Sequence, residues 1–337
     1  MGAVAPVNCV RLTRNSPVRG SAQRRRMPPI PLNIFVLGLD DLGRAELATL
    51  PDAQDFVFHG LLTIEELQSG TIDLPTLLQK AQRQLDAFDD TIDGIVGYWD
   101  FPISLMVPML CARYHLPSKN LDAAVKCEHK YWSRLEQQRF IDEYPKFGLI
   151  DYHDPDAKLP AHMSYPVWAK PIKSFSSEGA YRVTSDEELQ AVLAKRRETP
   201  ERAGPAFDQI LATLKLPEEI AAIPGGAYMV EEAATGSQCT IEGYNWQGEV
   251  NLTGIVDSLH YENSSSFLRY RYPSELPEHV QDRIRSVTHR VMTSLGLRNS
   301  TFNVEYFWDA DTDRLVLLEV NTSNPNPMRR CFDMSTA

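Results

Sequence analysis

The stretch from Thr301 to Asn321, with the sequence TFNVEYFWDADTDRLVLLEVN, constrains the fold more than any other part of the chain. Two runs of alternating apolar and polar residues flank the turn-forming residues DADTD, and this pattern predicts an antiparallel β-hairpin. If Thr312 is the centre of the loop, the two strands pair symmetrically about it. Strand alternation then directs Leu318 and Val320 towards the core.

The same register places four polar side chains on one face, with Glu305 opposite Glu319 and Asn303 opposite Asn321. Like charges directly opposite each other destabilise a hairpin, so we expect a positive charge between the two carboxylates. Oxygen ligands of this kind suit Mg²⁺ or Mn²⁺, which makes Glu305, Glu319 and Asn321 candidate metal ligands. If they are, replacing either Glu by Gln should leave the stability of the metal-free protein unchanged or raised. A solvent-facing pair neutralised by Lys or Arg is the alternative, and the hairpin alone does not decide.

Short apolar strands alternate with helical segments between residues 32 and 118, which predicts an α/β domain with a parallel sheet. The segments IFVLG (34–38) and IDGIVGYW (92–99) are the strands, and Asp100 is the expected N-cap of the helix that follows. The turn after the first strand lacks the glycine spacing of a dinucleotide fingerprint, and its carboxylates lie where a pyrophosphate would bind. This argues against a nicotinamide cofactor.

The formal net charge of −11 argues against a nucleic-acid partner, since the chain shows no dense basic cluster in its folded segments. No apolar run is long enough to span a bilayer, so we expect no membrane segment. The five cysteines are widely scattered and lack the short spacings of a zinc site or a disulfide scaffold. A reducing, cytoplasmic location fits best.

Residues 1–31 are expected to form a leader that does not pack, because Arg alternates with Ser, Pro and small residues and no acidic residue precedes Asp40. This leader resembles an organelle transit peptide. Met27 lies directly before the first strand, so an over-extended start is the other interpretation. Both remain open.

The second part of the chain has an α+β pattern. A long helix is predicted from Leu121 to Phe140, with Asn120 as its cap and with Lys126 and Lys130 one turn apart on the same face. Residues 196–226, rich in Pro, Ala and Glu, predict a helical insertion. The other predicted elements are strands at 165–170, 227–232, 240–244, 250–256 and 301–307, and helices at 186–197 and 276–295.

Two segments have features of a nucleotide site. Lys170 ends the strand YPVWAK, and the following loop can direct amide and hydroxyl groups towards an anion from Ser174, Ser176, Ser177 and Gly179. The Gly-Lys-Ser/Thr ending of a P-loop is absent, so a solvated turn is the alternative. In YMVEEAATG, Glu231 and Glu232 end an apolar strand before a small-residue hinge that can present backbone groups to an adenine edge. An exposed carboxylate pair is the alternative there.

The order of four short motifs resembles the ATP-grasp superfamily, and the match spans residues 33–321. The motifs are CEHKYWSR, AKPIKSFSSEG, VEEAATG and the pair FNVEYF and LLEVN. The resemblance implies an α/β pre-ATP-grasp domain at 32–118 and an α+β ATP-grasp domain at 119–337. ATP would lie between two subdomains of the latter, one of them a lid at about 160–230.

The resemblance also implies roles for individual residues. Lys130 and Lys170 would contact the ATP phosphates, and the loop from Ser174 to Gly179 would fold over them. The metal ligands would hold two Mg²⁺ or Mn²⁺ ions that bridge the phosphates. The groups that would hold the adenine and the ribose are the Glu231 side chain, the backbone of Glu232 and Ala234, and Gln238.

This chain departs from the family pattern in three places. Gln238 replaces a Glu that often binds the ribose, although an amide can still do so. Ser323 replaces an Arg that many members carry after the metal-binding Asn, so Arg269, Arg271 and Arg329 become candidates, with Lys170, for the catalytic cations. Solvated surface arginines are the alternative. The chain also stops soon after Asn321, where relatives continue, so we expect a truncated C-terminus.

The implied function is an ATP-dependent carboxylate–amine ligase that acts through an acyl phosphate and releases ADP and phosphate, similar to D-alanine–D-alanine ligases and amino-acid ligases. The partners would be a small carboxylic acid and an amine, with a homodimer left open. A biotin-carboxylase-like enzyme is one alternative, although its Arg-Gln-Val-Glu-His run is missing. A catalytically impaired ATP-binding protein is the other. Substrate pockets in such enzymes are built from variable loops, so the sequence identifies neither the acid nor the amine.

Overall fold

The computed structural model describes residues 30–174, 178–199, 202–261 and 267–323. Its N-terminal part is an α/β unit with a parallel sheet in the order β2-β1-β3, as predicted. β1 is almost entirely buried because helices cover the sheet. The elements of this unit are β1 (Leu32–Leu37), α1 (Asp41–Leu47), a 3₁₀ helix (Ala53–Asp55), β2 (Phe56–Leu61), α2 (Ile64–Gln68), α3 (Leu74–Asp86), β3 (Gly94–Val96) and α4 (Ile103–Arg113).

Two short helices lead into a second, antiparallel sheet in the order β4-β7-β5-β6, and we refer to this sheet with α7 as the lid. The predicted helical insertion is confirmed by two short helices between α7 and β7. These elements are α5 (Leu121–Glu128), α6 (Lys130–Gln137), β4 (Phe147–Ile150), β5 (Val167–Pro171), β6 (Tyr181–Val183), α7 (Asp186–Glu198), α8 (Gly204–Leu211), α9 (Glu218–Ala221) and β7 (Tyr228–Glu232).

The last part is a five-stranded antiparallel sheet in the order β10-β9-β8-β11-β12, with one long helix packed on it. The predicted strands and the helix are present, so the α+β second part is confirmed. Its elements are β8 (Ser237–Trp246), β9 (Glu249–His260), β10 (Phe267–Arg271), α10 (Glu278–Leu295), β11 (Ser300–Asp309) and β12 (Arg314–Asn321).

The lid has its own small hydrophobic core, in which Val167, Leu189 and Val230 are fully buried. A second, larger core is shared by the N-terminal unit and the five-stranded sheet. The lid therefore joins the rest of the molecule through polar contacts and short segments more than through a common apolar interior. A cleft runs between the lid and the rest of the molecule.

The predicted continuous helix from Leu121 to Phe140 is wrong, because the chain breaks at His129. His129 has an extended backbone, and its Nδ1 accepts a hydrogen bond from the backbone N of Trp132 at 3.1 Å, so it caps α6. Lys126 and Lys130 therefore do not share a helix face. Lys126 instead lies over the ring of Trp132, at 5.7 Å from its centroid.

Asp100 was expected to cap α4, but the helix starts later, at Ile103, with Pro102 as its N-cap. The side chain of Asp100 accepts a hydrogen bond from Ser323 Oγ at 3.0 Å instead, so it faces the end of β12.

The predicted hairpin register is confirmed at the open end, where Asn303 pairs with Asn321 and Glu305 with Glu319. Between Glu305 and the turn, a β-bulge at Leu318 shifts the register by one residue. The bulge turns Leu318 towards the cleft and leaves it half-buried, so its predicted core position is wrong. Val320 is buried, as expected.

Every helix in the described part of the chain is too short or too polar to cross a membrane. Cys111, Cys127 and Cys239 are buried free thiols.

We predict that His129 makes the protein less stable in acid. Burial lowers the pKa of His129 to about 4, so below pH 6.5 the unfolded chain binds a proton that the folded chain does not. Stability should therefore fall as the pH drops from about 6.5 towards 4. His129→Asn keeps a capping acceptor without this titration. Urea unfolding at pH 7.5 and pH 5 should show an acid-induced loss that is about 2 kcal/mol larger in the wild type than in the variant.

The exposed His153→Asn serves as the matched control and should lose as much stability in acid as the wild type. An equal acid-induced loss in His129→Asn would show that His129 does not carry the effect.

Candidate active site

The cleft between the lid and the five-stranded sheet has a volume of about 450 Å³ and is open to solvent. Charged side chains from four regions line it: the loop after β3, helices α5 and α6, the strand ends of the lid, and the β11–β12 hairpin. Most of the residues that the sequence singled out lie here. They are Lys130, Lys170, Ser174, Glu231, Glu232, Ala234, Gln238, Glu305, Glu319 and Asn321.

The polar face of the hairpin points into this cleft. Asn321 Nδ2 donates to Asn303 Oδ1 at 2.9 Å and to Glu305 Oε1 at 3.2 Å. Lys130 Nζ lies 3.2 Å from Glu319 Oε1, so Lys130 supplies the positive charge expected beside the two opposed carboxylates. Lys130 also donates to the backbone carbonyl of Ser174 at 3.0 Å, which connects the hairpin to the loop of the lid.

The two carboxylates have opposite electrostatic environments. Burial and the nearby Glu319 raise the pKa of Glu305 to about 7, although Asn321 and Gln238 donate hydrogen bonds to it. Burial would also raise the pKa of Glu319, but Lys130 and Lys170 outweigh it and the pKa is lowered. Among the residues that the structure describes, Glu319 has a cationic partner and Glu305 does not.

Lys170 is buried at the end of β5, in a group of three charges. Its Nζ lies 2.5 Å from Glu231 Oε2, and the other oxygen, Oε1, accepts from Arg134 Nε at 2.8 Å. Burial alone would raise the pKa of Glu231, but Arg134 and Lys170 lower it to about 2. The Glu231 side chain, which was expected to hold an adenine, thus orients two cations in this structure.

The hinge after β7 leaves backbone groups near the mouth of the cleft. The amide of Glu232 donates to Lys146 O and that of Ala233 to Pro166 O, at 2.8 and 3.1 Å. Because alternate residues of an extended segment point the same way, the carbonyl of Glu232 and the amide of Ala234 should face one side together. The Glu232 side chain forms a two-bond ion pair with Arg314.

Gln238, the expected ribose ligand, bridges two side chains of the cleft. Its Nε2 donates to Glu305 Oε2 at 3.1 Å, and its Oε1 lies 2.8 Å from His260 Nε2.

The loop after β5 is described at Ser174 and again from Glu178, so Ser176 and Ser177 lie outside the described residues. Gly179 has a φ of +73°, a left-handed conformation that favours glycine, and its carbonyl accepts from Tyr228 at 2.7 Å.

Two of the three arginines proposed to replace the missing family Arg, Arg269 and Arg271, do not line the cleft. Arg271, the last residue of β10, forms ion pairs with Asp257 at 2.7 Å and with Glu275. Arg269 is exposed on the same strand, and neither residue lines the cleft. Arg329 lies outside the described residues. Arg269 and Arg271 therefore lie outside the cleft, on the edge strand β10 of the five-stranded sheet.

A different cation, Lys173, lies at the end of the cleft beside Ser323. Lys173 is 6% exposed and lies 2.6 Å from Glu128 Oε2, with the ring centroid of Phe101 4.7 Å from its Nζ. Asp100 lines the same end, where burial raises the pKa of its carboxyl group.

Lys173 and Asp100 line the cleft and Arg134 pairs with Glu231 beside it, but none of the three was predicted as a site residue from the sequence. Arg134 had a usable signal, since it follows Lys130 by one helix turn within KYWSRLEQ. Asp100 and Lys173 had none, because their neighbours in the cleft come from distant segments.

The residues of the hairpin face fit a divalent cation with hard oxygen preferences. Glu305 is a buried carboxylate that pairs with no cation in the described part of the chain, and the Asn321 amide nitrogen donates to Asn303 and Glu305. Within the described residues, no three His, Cys, Asp or Glu side chains meet in one place. Two carboxylates and an amide would therefore need further oxygens, such as those of phosphate, to complete an octahedral shell.

Residues 163–329 match the family model of the ATP-grasp domain. Over 281 residues the chain is 28% identical to the vancomycin B-type resistance protein VanB of Enterococcus faecalis. This match covers 78% of this chain and 68% of VanB. It is 33% identical to a D-alanine–D-alanine ligase of Acidiphilium cryptum, but the match spans only 29% of this chain and 33% of that protein.

The fold is similar to that of an L-amino acid ligase from Bacillus licheniformis, with a TM-score of 0.67 at 15% identity. That match covers 90% of this chain and 71% of the ligase.

We predict that the two carboxylates affect the metal-free protein in opposite ways, in contrast to the equal effects expected from the sequence. The raised pKa of Glu305 means that the folded chain holds an extra proton, so stability is lost as the pH rises from 4.5 through about 7. Glu305→Gln should raise stability at pH 8 by roughly 1–3 kcal/mol, with no gain near pH 4.5. Glu319→Gln should lower it at pH 8, because the ion pair with Lys130 is lost.

The measurement is thermal unfolding in a metal chelator at both pH values. Equal shifts in the two variants would contradict the asymmetry.

Proposed function

We propose that this chain, which belongs to the ATP-grasp ligases, joins a carboxylic acid to an amine through an acyl phosphate and releases ADP. The observation that carries the proposal is the convergence of Lys130 and Lys170 with Glu305 and Glu319 in one cleft. Cations and carboxylates at this spacing suit a triphosphate with divalent metal. The lid and the hairpin would hold the nucleotide between them.

Nucleotide binding would use the cleft from end to end. The adenine would lie against the hinge, with the Glu232 carbonyl and the Ala234 amide at its edge, and Gln238 is placed for the ribose. The phosphates would extend towards Lys130 and Lys170. Divalent metal held by Glu305, Glu319 and Asn321 would neutralise charge on the transferring phosphoryl group.

The chemistry follows from the poor reactivity of a carboxylate towards amines. A carboxylate oxygen would attack the γ-phosphorus while the bond to the β-phosphate oxygen breaks, which gives ADP and an acyl phosphate. The amine nitrogen would then attack the acyl carbon, phosphate would leave, and the amine would lose a proton. Lys170 would stay beside the phosphates and stabilise the developing negative charge.

The acid and the amine would bind at the end of the cleft formed by the residues that follow Asn321. Thr322 and Ser323 come directly after this ligand, and Asp100, Phe101 and Lys173 line the same end. We assign to Lys173 the charge stabilisation of the acyl phosphate, since Ser323 cannot provide it and Arg269 and Arg271 lie elsewhere.

We predict that ADP, and not AMP, is the nucleotide product. With an acid present and the amine withheld, hydroxylamine should capture an acyl hydroxamate. Lys170→Ala should reduce that capture by roughly a hundredfold or more, the effect of removing one preorganised charge from a transition state. The measurement is nucleotide analysis together with hydroxamate detection over a panel of acids.

Release of AMP and pyrophosphate would mean adenylation and would overturn the proposal. ADP without hydroxamate for any acid would instead favour bicarbonate as the activated acid. Tight ATP binding without ADP release would indicate the impaired binding protein.

We predict that Lys173→Met lowers hydroxamate capture by roughly tenfold or more while ATP affinity changes little, because Lys173 lies at the acceptor end. Lys126→Met is the matched control, since Lys126 packs on Trp132 and does not line the cleft. A large loss of ATP affinity in Lys173→Met, with capture reduced only in proportion, would place Lys173 at the nucleotide instead.

A further inference from the structure

We propose that Arg134 is a positioning residue that keeps Lys170 available to the nucleotide phosphates by sharing the carboxylate of Glu231. The inference rests on the proposed function, because it assumes that Lys170 serves phosphate. It concerns a residue that does not line the cleft and would not itself touch ATP.

Three polar partners fix Arg134 in one orientation. Its Nε donates to Glu231 Oε1 at 2.8 Å, and its Nη1 donates to Gln137 Oε1 at 2.6 Å. Its Nη2 donates to the backbone carbonyl of Leu318. The residue is 2% exposed, and a guanidinium group buried with this many partners has little freedom to reorient.

The arrangement of charges explains why a second cation is needed at Glu231. Glu231 binds Lys170 through one oxygen and Arg134 through the other, so two positive charges share one negative charge. The group as a whole keeps a net positive charge beside the cleft. Without Arg134, Glu231 and Lys170 would form a closed, neutral pair in a buried site, where such pairing is strong. Phosphate would then have to compete with Glu231 for Lys170.

The third contact connects this group to the metal face. Leu318 is the bulged residue of β12, directly before Glu319. Arg134 therefore ties β7 of the lid to β12 of the hairpin, at the points where each presents a charged group to the cleft. The phosphate-binding cation and the candidate metal ligand are thus set by one buried side chain.

The test compares binding of ATP and of adenosine, which lacks phosphates, to the full chain by calorimetry at pH 7 with Mg²⁺. Arg134→Met should weaken ATP binding by roughly tenfold or more and leave adenosine binding almost unchanged. Adding Glu231→Gln to that variant removes the competing carboxylate and should restore most of the lost ATP affinity. A merely structural role for Arg134 predicts no such rescue, because the second substitution removes a further buried contact.

Arg139→Met is the matched control, because Arg139 is exposed near the same helix and pairs with Glu136 and Glu219. ATP binding unchanged in Arg134→Met, or losses that add up in the double variant, would overturn the inference while the proposed function stands. Failure of the wild type to bind ATP would instead reject the proposed function. If Arg134→Met does not fold, Arg134→Lys decides: retained ATP affinity supports the charge-sharing role, and a selective loss of ATP affinity overturns it.

Discussion

Charge pairing inside the cleft is the constraint on which the rest of the site depends. Lys130, Lys170 and Lys173 are all substantially buried, and each is held by a carboxylate: Glu319, Glu231 and Glu128. Burying any one of these groups alone would cost several kcal/mol, so the cations and the carboxylates must fold together. Lys170 and Glu231 both belong to the lid and the Lys130–Glu319 pair joins α6 to the hairpin, whereas the Lys173–Glu128 pair joins the loop after β5 to α5. The Lys173–Glu128 pair and the Arg134–Glu231 pair, which joins α6 to β7, therefore connect the lid segments to the rest of the molecule.

This pairing has a consequence for ligand order. Lys130 pairs with Glu319, whereas among the described residues no cation pairs with Glu305, and burial and the nearby Glu319 raise the pKa of Glu305. A metal ion arriving alone would have to displace a lysine and find further oxygen ligands in the same step. A triphosphate gives Lys130 an alternative partner and supplies the missing oxygens, so metal and nucleotide should favour each other.

The fold was predictable wherever a local pattern decides it. Alternation and a turn were enough to pair Glu305 with Glu319, since both act over a few residues. The bulge at Leu318 has no such signal, because its carbonyl is held by Arg134, which is 184 residues away in sequence. The break at His129 was missed for a related reason: the segment has helical propensity throughout, and the cap is formed by an imidazole nitrogen, which is not a common capping group. Arg271 looked available in the sequence only because its partner Asp257 could not be placed.

The end of the cleft that is proposed to bind the acid and the amine shows why substrate identity is the hardest property to predict from the sequence. Asp100 comes from the N-terminal unit, Lys173 lies in the loop after β5, and Ser323 lies two residues after the end of β12. None of these side chains belongs to a periodic pattern, and their hydrogen bonds join segments up to 223 residues apart. Ser323 contributes a neutral contact to this junction, because its hydroxyl donates a hydrogen bond to Asp100 Oδ1 at 3.0 Å. If the proposed function holds, the shape and charge available to the acid and the amine would therefore depend on side chains from all three segments of this junction.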